Sequence, residues 1–171
     1  MLNEMKICFI LCLSFLFFPS CSYLPKSVSG LTSSGPDEKA IQTLKETKNC
    51  VECNLKQSNL NYAKLAKADL SETDLESSSM NGVVLTGSIL NNTSFVKADL
   101  SSSNISNANG TNTDFSNAII TRSKINNSKF EKSDFSGANI SKSKLNKSSF
   151  IDSNFSKVQM VDSVLLNTDL S

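Results

Sequence analysis

Large apolar side chains recur along this chain at every fifth residue. From Leu55 the positions read Leu55, Leu60, Leu65, Leu70, Leu75, Met80, Leu85, Leu90, Phe95, Leu100, Ile105, Gly110, Phe115, Ile120, Ile125, Phe130, Phe135, Ile140, Leu145, Phe150, Phe155, Met160, Leu165 and Leu170. The frame holds over all 24 centres, and only Gly110 lacks a large apolar group. Two residues before each centre stands Ala, Ser, Thr or Cys, except at Val83 and Val158. A fixed period of this kind has to be read before any local element. On an α-helix five residues advance by about 500°, so the centres would wind around every face. On one continuous strand, successive centres would alternate between faces. A small and a large residue two apart, however, point to the same side of an extended segment. Each five-residue unit therefore reads as one short side of a coil, with two side chains inward, three outward, and a bend before the next side.

Ala68-Asp69-Leu70-Ser71-Glu72, Ala98-Asp99-Leu100-Ser101-Ser102 and Ala138-Asn139-Ile140-Ser141-Lys142 carry a further resemblance. The pattern resembles the A(D/N)LXX repeat of the pentapeptide-repeat family, with Ser in place of Ala at many small inward positions. The resemblance implies an all-β fold, a right-handed quadrilateral β-helix with four sides and 20 residues per coil. On that basis residues 50–171 make about six coils, a rod roughly 29 Å long at the usual strand spacing.

Sorting the centres by side separates several features. One side carries Leu55, Leu75, Phe95, Phe115, Phe135 and Phe155, so four Phe in successive coils are expected to stack inside the rod. The side of Leu70, Leu90, Gly110, Phe130, Phe150 and Leu170 leaves a gap at Gly110, read as a cavity partly filled by larger neighbours. The inward Ser residues, among them Ser58, Ser78, Ser103, Ser123, Ser128 and Ser133, must bond their hydroxyls to nearby backbone.

Ahead of the repeat, residues 36–49 read as a short capping α-helix. Pro36 suits the first turn and Ser34 or Gly35 the N-cap. Asp37 and Glu38 complement the positive end of the dipole, Lys45 and Lys48 the negative end. Ala40, Ile41 and Leu44 form one apolar stripe, and so short a helix needs something to dock on. The open first coil offers that surface, as terminal repeats require a cap.

Further upstream, Lys6 precedes an apolar run from Ile7 to Phe18 broken only by Ser14. Residues 1–20 read as a secretory signal, the run being too short to span a bilayer; an uncleaved anchor is the other reading. Phe18-Pro19-Ser20-Cys21 resembles the lipobox of bacterial lipoproteins, which implies lipidation of Cys21. Residues 21–35, rich in Ser, Gly, Pro and Lys, read as a flexible tether or an ordinary disordered terminus.

Charge is balanced over the whole chain, 17 basic against 16 acidic residues, and there is no histidine. The commonest general base and metal ligand is therefore missing. No Ser/His pair can form, the carboxylates lie at outward positions, and no Gly-rich phosphate loop is present. The expectation is a non-enzymatic protein with no catalytic, cofactor or metal site. Cys50 and Cys53 form a CxxC without the βαβ context of a redox motif and without the four ligands of a zinc site. They are read as structural, a candidate disulfide pinning the cap to the first coil.

The outward residues remain to carry function. The side of Leu65, Leu85, Ile105, Ile125, Leu145 and Leu165 displays Lys64, Lys67, Lys124, Lys144 and Lys147. These are either a solvated face or a basic surface for an anionic partner. Val161, Val164 and Leu166 form an apolar rim on the last coil, whose open edge is a pairing site for a second copy or another protein. The expected role is an exported, lipid-anchored scaffold for protein interaction or envelope structure, membrane-held through Cys21 and without nucleic acid. The alternative comes from the resemblance: some members mimic DNA and bind DNA gyrase. That calls for an acidic rod in the cytoplasm, whereas residues 53–171 hold 12 basic and 11 acidic residues behind an export signal.

Overall fold

The computed structural model describes residues 35–171. The export segment, Cys21 and the tether as far as residue 34 lie outside the described residues. From Asn49 onward, residue i pairs in parallel with residue i+20, from Asn49 with Asp69 to Ser149 with Asp169. The step of twenty makes each coil four five-residue sides. Contact is made at the residue before each centre: the Leu55 N–H donates to the Asp74 carbonyl at 2.8 Å, and the Asp74 N–H donates to the Cys53 carbonyl at 2.9 Å. The ladder widens into two short strands at one place. There β1, Asn109–Thr111, pairs with β2, Lys129–Glu131, setting Gly110 beside Phe130.

Each side ends in a bend that recurs with the period. The centre's carbonyl accepts the N–H of the next small residue, as from Ser58 to Leu55 at 3.2 Å. The residue two after each centre takes a positive φ: 57° at Gln57 and Tyr62, 60° at Lys67, 67° at Gly82. Side chains other than Gly, Asn and Asp cost roughly 1–2 kcal/mol in that conformation. Lys, Ser, Glu and Arg nonetheless occupy many bends, so the ladder bonds on either side outweigh the local penalty. The Asp or Asn before a centre helps to hold the turn, as its side-chain oxygen accepts the N–H two residues on. Asp99 accepts from Ser101 at 2.9 Å and Asp134 from Ser136 at 2.7 Å. This is the local reason for the acidic or amide residue in the repeat.

Between residues 68 and 150 the two inward positions of each side are buried, and the other three are at least partly open. Phe95, Phe115, Phe135 and Phe155 stack with ring centroids 4.9, 4.7 and 5.0 Å apart. Phe130 and Phe150 form a second column that meets the first edge-to-face. The gap expected at Gly110 is absent. A Cβ there would meet Cδ1 and Cε1 of Phe130 at 3.0 Å and would collide with the Thr113 hydroxyl. The larger ring from the following coil and the threonine occupy the space that a smaller centre leaves.

Many inward hydroxyls donate to the carbonyl 23 residues earlier, though Ser88 bonds Leu85 and Ser133 bonds Glu131 instead. Thr93 bonds Leu70 at 2.8 Å, Ser123 bonds Leu100 at 2.8 Å and Ser153 bonds Phe130 at 2.7 Å. The hydroxyls of Ser123, Ser133, Ser143, Ser148 and Ser153 also accept the N–H of the residue 20 before, as Ser143 does from Ser123 at 3.0 Å. The expectation that inward Ser residues bond to backbone fails at Ser103, whose hydroxyl meets that of Ser123 at 3.2 Å, and at Ser58 and Ser78, which are buried without a partner. Counting back 23 from Ser58 reaches Gly35, ahead of the coils, so its acceptor does not exist. Nothing in the structure explains Ser78.

The helix α1 runs Glu38–Thr47. Its N-cap is Asp37, not Ser34 or Gly35: the Asp37 carboxylate accepts the N–H of Lys39 at 2.9 Å and of Ala40 at 3.1 Å. A carboxylate both caps and complements the dipole, and Pro36 stands just outside the helix rather than in its first turn. At the other end Lys48 turns left-handed and its N–H bonds the Leu44 carbonyl at 3.0 Å. Ile41 and Leu44 are buried in the same core as Leu55 and Leu60, with Ala40 packed against it. No helix among the described residues is long and apolar enough to cross a membrane.

Candidate interaction surfaces

With both inward positions in the axis, the rod meets its surroundings through its sides and its ends. On the side of Leu65 to Leu165, the residues preceding the centres form one column in register: Lys64, Val84, Asn104, Lys124, Lys144, Val164. Lys124 and Lys144 are therefore direct neighbours across the ladder, and Val164 adjoins Lys144. Lys147 lies two residues after Leu145 on the same side, and its N–H donates to the Leu166 carbonyl at 2.9 Å. Lys64 and Lys67 sit three coils away, so the structure does not bring them to the other three. All five lysines are exposed.

No Asp or Glu occurs in any of the five-residue units that build this side, residues 63–67, 83–87, 103–107, 123–127, 143–147 and 163–167. Lys cannot act as the turn-holding acceptor at position 124 or 144. Amide side chains after the centre carry backbone bonds instead. Asn126 accepts the Asn146 N–H at 3.0 Å, and Asn146 accepts the Leu166 N–H at 3.0 Å. Two further cations, Arg122 and Lys142, occupy the bends that lead into this side, where the Arg122 N–H donates to the Ser141 carbonyl at 3.0 Å. Both are exposed. The step of twenty, carried across the corner, is the signal that finds them.

The side of the Phe stack differs. Lys56 pairs with Asp74 and Glu76, each at 3.0 Å, and these are the ion pairs among the described residues. Hydrogen bonds from its ammonium to Asp74 and then Glu76 raise the Lys56 pKa above the ordinary lysine value. Asp114 and Asp134 are stacked in register, and the Asn154 amide donates to Asp134 at 3.2 Å.

The last coil described is the least buried. Phe155, Met160 and Leu165 are only partly buried, and Leu170 is 46% exposed. Val161, Val164 and Leu166 stand 66%, 46% and 63% exposed around it. The Asp169 carboxylate accepts the Ser171 N–H at 3.0 Å, which lowers its pKa.

At the opposite end Cys50 and Cys53 are joined by a disulfide. The Cys50 sulfur lies 3.7 Å from the Ala40 carbonyl of α1. As a half-cystine it has no proton to donate, so this is a packing contact between cap and coil. Among the described residues no group of His, Cys, Asp and Glu is arranged to hold a metal ion.

The family model described as pentapeptide repeats matches residues 49–87, 78–109, 107–137 and 133–171, an unbroken span to Ser171. No curated protein matches the sequence. Among solved structures the chain is similar to HetL, a pentapeptide repeat protein involved in heterocyst differentiation regulation in the cyanobacterium Nostoc sp. strain PCC 7120. Identity there is 18% over 71% of this chain and 74% of that one, with a TM-score of 0.39. Rfr23, a pentapeptide repeat protein of the cyanobacterium Cyanothece 51142, is 20% identical over 78% of this chain and 98% of its own, with a TM-score of 0.36. A trypsin-treated form of QnrB1, a plasmid-mediated fluoroquinolone resistance protein, is 17% identical over 77% and 69%, with a TM-score of 0.32.

Proposed function

The chain belongs to the pentapeptide-repeat family, and from that premise we propose that it is a non-enzymatic, exported and lipid-anchored scaffold for protein interaction or envelope structure. It presents a right-handed four-sided rod of about six coils, closed at its N-terminal end by α1. The observation that carries this reading is the use of the inward positions. Leu, Ile and Phe centres fill the axis, and the inward hydroxyls of the later coils bond to backbone. Outward residues and the ends are left for a partner. The uncovered last coil pairs with a second copy of the chain, because exposed apolar residues beside open ladder positions favour association. Export rests on the apolar run Ile7 to Phe18, and anchoring on Cys21.

The DNA-mimic reading, in which the rod would bind DNA gyrase, has the lysine side against it. A side carrying Lys124, Lys144 and Lys147 without any carboxylate does not imitate a polyanion. The proposed role is tested by the mass and N-terminal residue of the mature protein. A chain that begins at a diacylglycerol-modified Cys21 supports it. A chain found in the cytoplasm with its first residues intact overturns both export and anchoring, and brings the DNA-mimic reading back.

A further inference from the structure

We propose that the patch formed by Arg122, Lys124, Lys142, Lys144 and Lys147, with Val164 and Leu166 beside it, docks on the phosphate-bearing surface of an anionic lipid bilayer. The proposal deepens the scaffold reading by naming a partner for the lysine side, and it does not depend on lipidation of Cys21.

Charge is the first argument. Like charges directly opposite each other across a ladder are destabilising, yet Lys124 and Lys144 are such a pair. No acid of their own side offsets them, and the ion pairs of the described residues lie elsewhere, at Lys56. Anions supplied from outside would remove the repulsion. Shape is the second argument. Lys124 and Lys144 stand on successive strands of one side of the rod, about 4.8 Å apart, with Lys147 on the same side and Arg122 and Lys142 at the adjoining corner. The ladder holds their backbones in register, and all of these cations are exposed, so one charged surface can reach them together. The third argument is the company of apolar groups. Val164 continues the lysine column, and Leu166 is 63% exposed on the same side. Cations flanked by exposed aliphatic side chains match the boundary between headgroups and acyl chains. A nucleic-acid duplex offers phosphates but nothing for Leu166 to enter.

The test uses the full chain and the variant K124Q/K144Q/K147Q, sedimented with vesicles of phosphatidylcholine alone or of phosphatidylcholine with phosphatidylglycerol. Residues upstream of the rod can bind either kind of vesicle, so the quantity read is the excess on the anionic ones. That excess is expected in the full chain and is lost at high salt, because exposed charges are screened. At about fivefold per lysine near an anionic surface, the triple variant binds roughly a hundredfold more weakly. Its thermal midpoint is not lowered, since the substitution removes a repulsion. Equal binding to both vesicles, or an excess that survives 1 M salt in the unaltered chain (roughly a 3 Å screening length), overturns the proposal; the salt arm needs no variant. Lysine-dependent binding to a DNA duplex without any preference for anionic vesicles replaces the bilayer by a nucleic acid. An unlipidated Cys21 would remove the anchor and leave this result untouched.

Discussion

The two ends of the rod are built from the same five-residue unit and have opposite fates. At the first coil, the centre Leu55 is fully buried and shares its core with Leu44 of α1. At the last coil, Leu170 occupies the same kind of inward position and is 46% exposed. The residue and the local backbone do not differ enough to explain this. Burial of a centre is supplied by the coils before and after it, so a terminal centre is half-made until something covers it. The cap supplies cover at one end by means of a different element, with its own N-cap and its own apolar stripe.

The comparison is sharpest where a side chain can be removed at each end. Leu44→Ala should cost about 2–5 kcal/mol, the range for a fully buried leucine. Leu170→Ala should cost under about 1 kcal/mol in the single chain, because much of its surface is already in water. Chemical denaturation of both variants reads the difference, and equal costs would break the account of the two ends.

A smaller effect is expected in the middle of the rod. Gly110→Ala places a methyl group against the Phe130 ring and the Thr113 hydroxyl. Overpacking of this kind costs about 1–3 kcal/mol. Filling a real cavity would instead raise stability, so the sign of the change separates the two descriptions of this position.

The smallest effects are the responses to pH. Lys56, near the capped end, holds its proton more tightly in the folded rod than in the unfolded chain. Its contribution is complete below the ordinary lysine pKa and is lost as pH rises through the raised value. Asp169, near the open end, has a lowered pKa. Its contribution is present above the ordinary aspartate value and is lost as pH falls through the lowered one. Both groups are exposed, so each loss is slight. Lys56→Met should flatten the alkaline limb of a stability-against-pH curve, and Asp169→Asn the acid limb.

Much of the fold can be read in the sequence because the period is so regular. The inward pair follows from the period alone, whereas the four sides, and with them the Phe stack, follow from what the family resemblance implies about the coil. The candidate surfaces are legible only in part. Lys124, Lys144 and Lys147 come from sorting by side, but Arg122 and Lys142 sit on a corner that sorting by side divides. The bends hide for a different reason. Their positive φ is imposed by the coil, and Lys, Ser and Glu give no local hint of it. Gly110 misleads because its space is filled by Phe130, which lies 20 residues on and belongs to another coil. The N-cap moves from Ser34 or Gly35 to Asp37 because one acidic side chain can serve both the cap and the dipole. Cys21 and the export segment precede the described residues and rest on sequence alone.

The central claim is that this chain acts through its outer surfaces and its open end. Sedimentation equilibrium of the full chain, alongside V161D/L170D, tests it most directly. The account predicts a dimer that the paired substitutions return to a monomer with the rod still folded. A strict monomer at high concentration would contradict it.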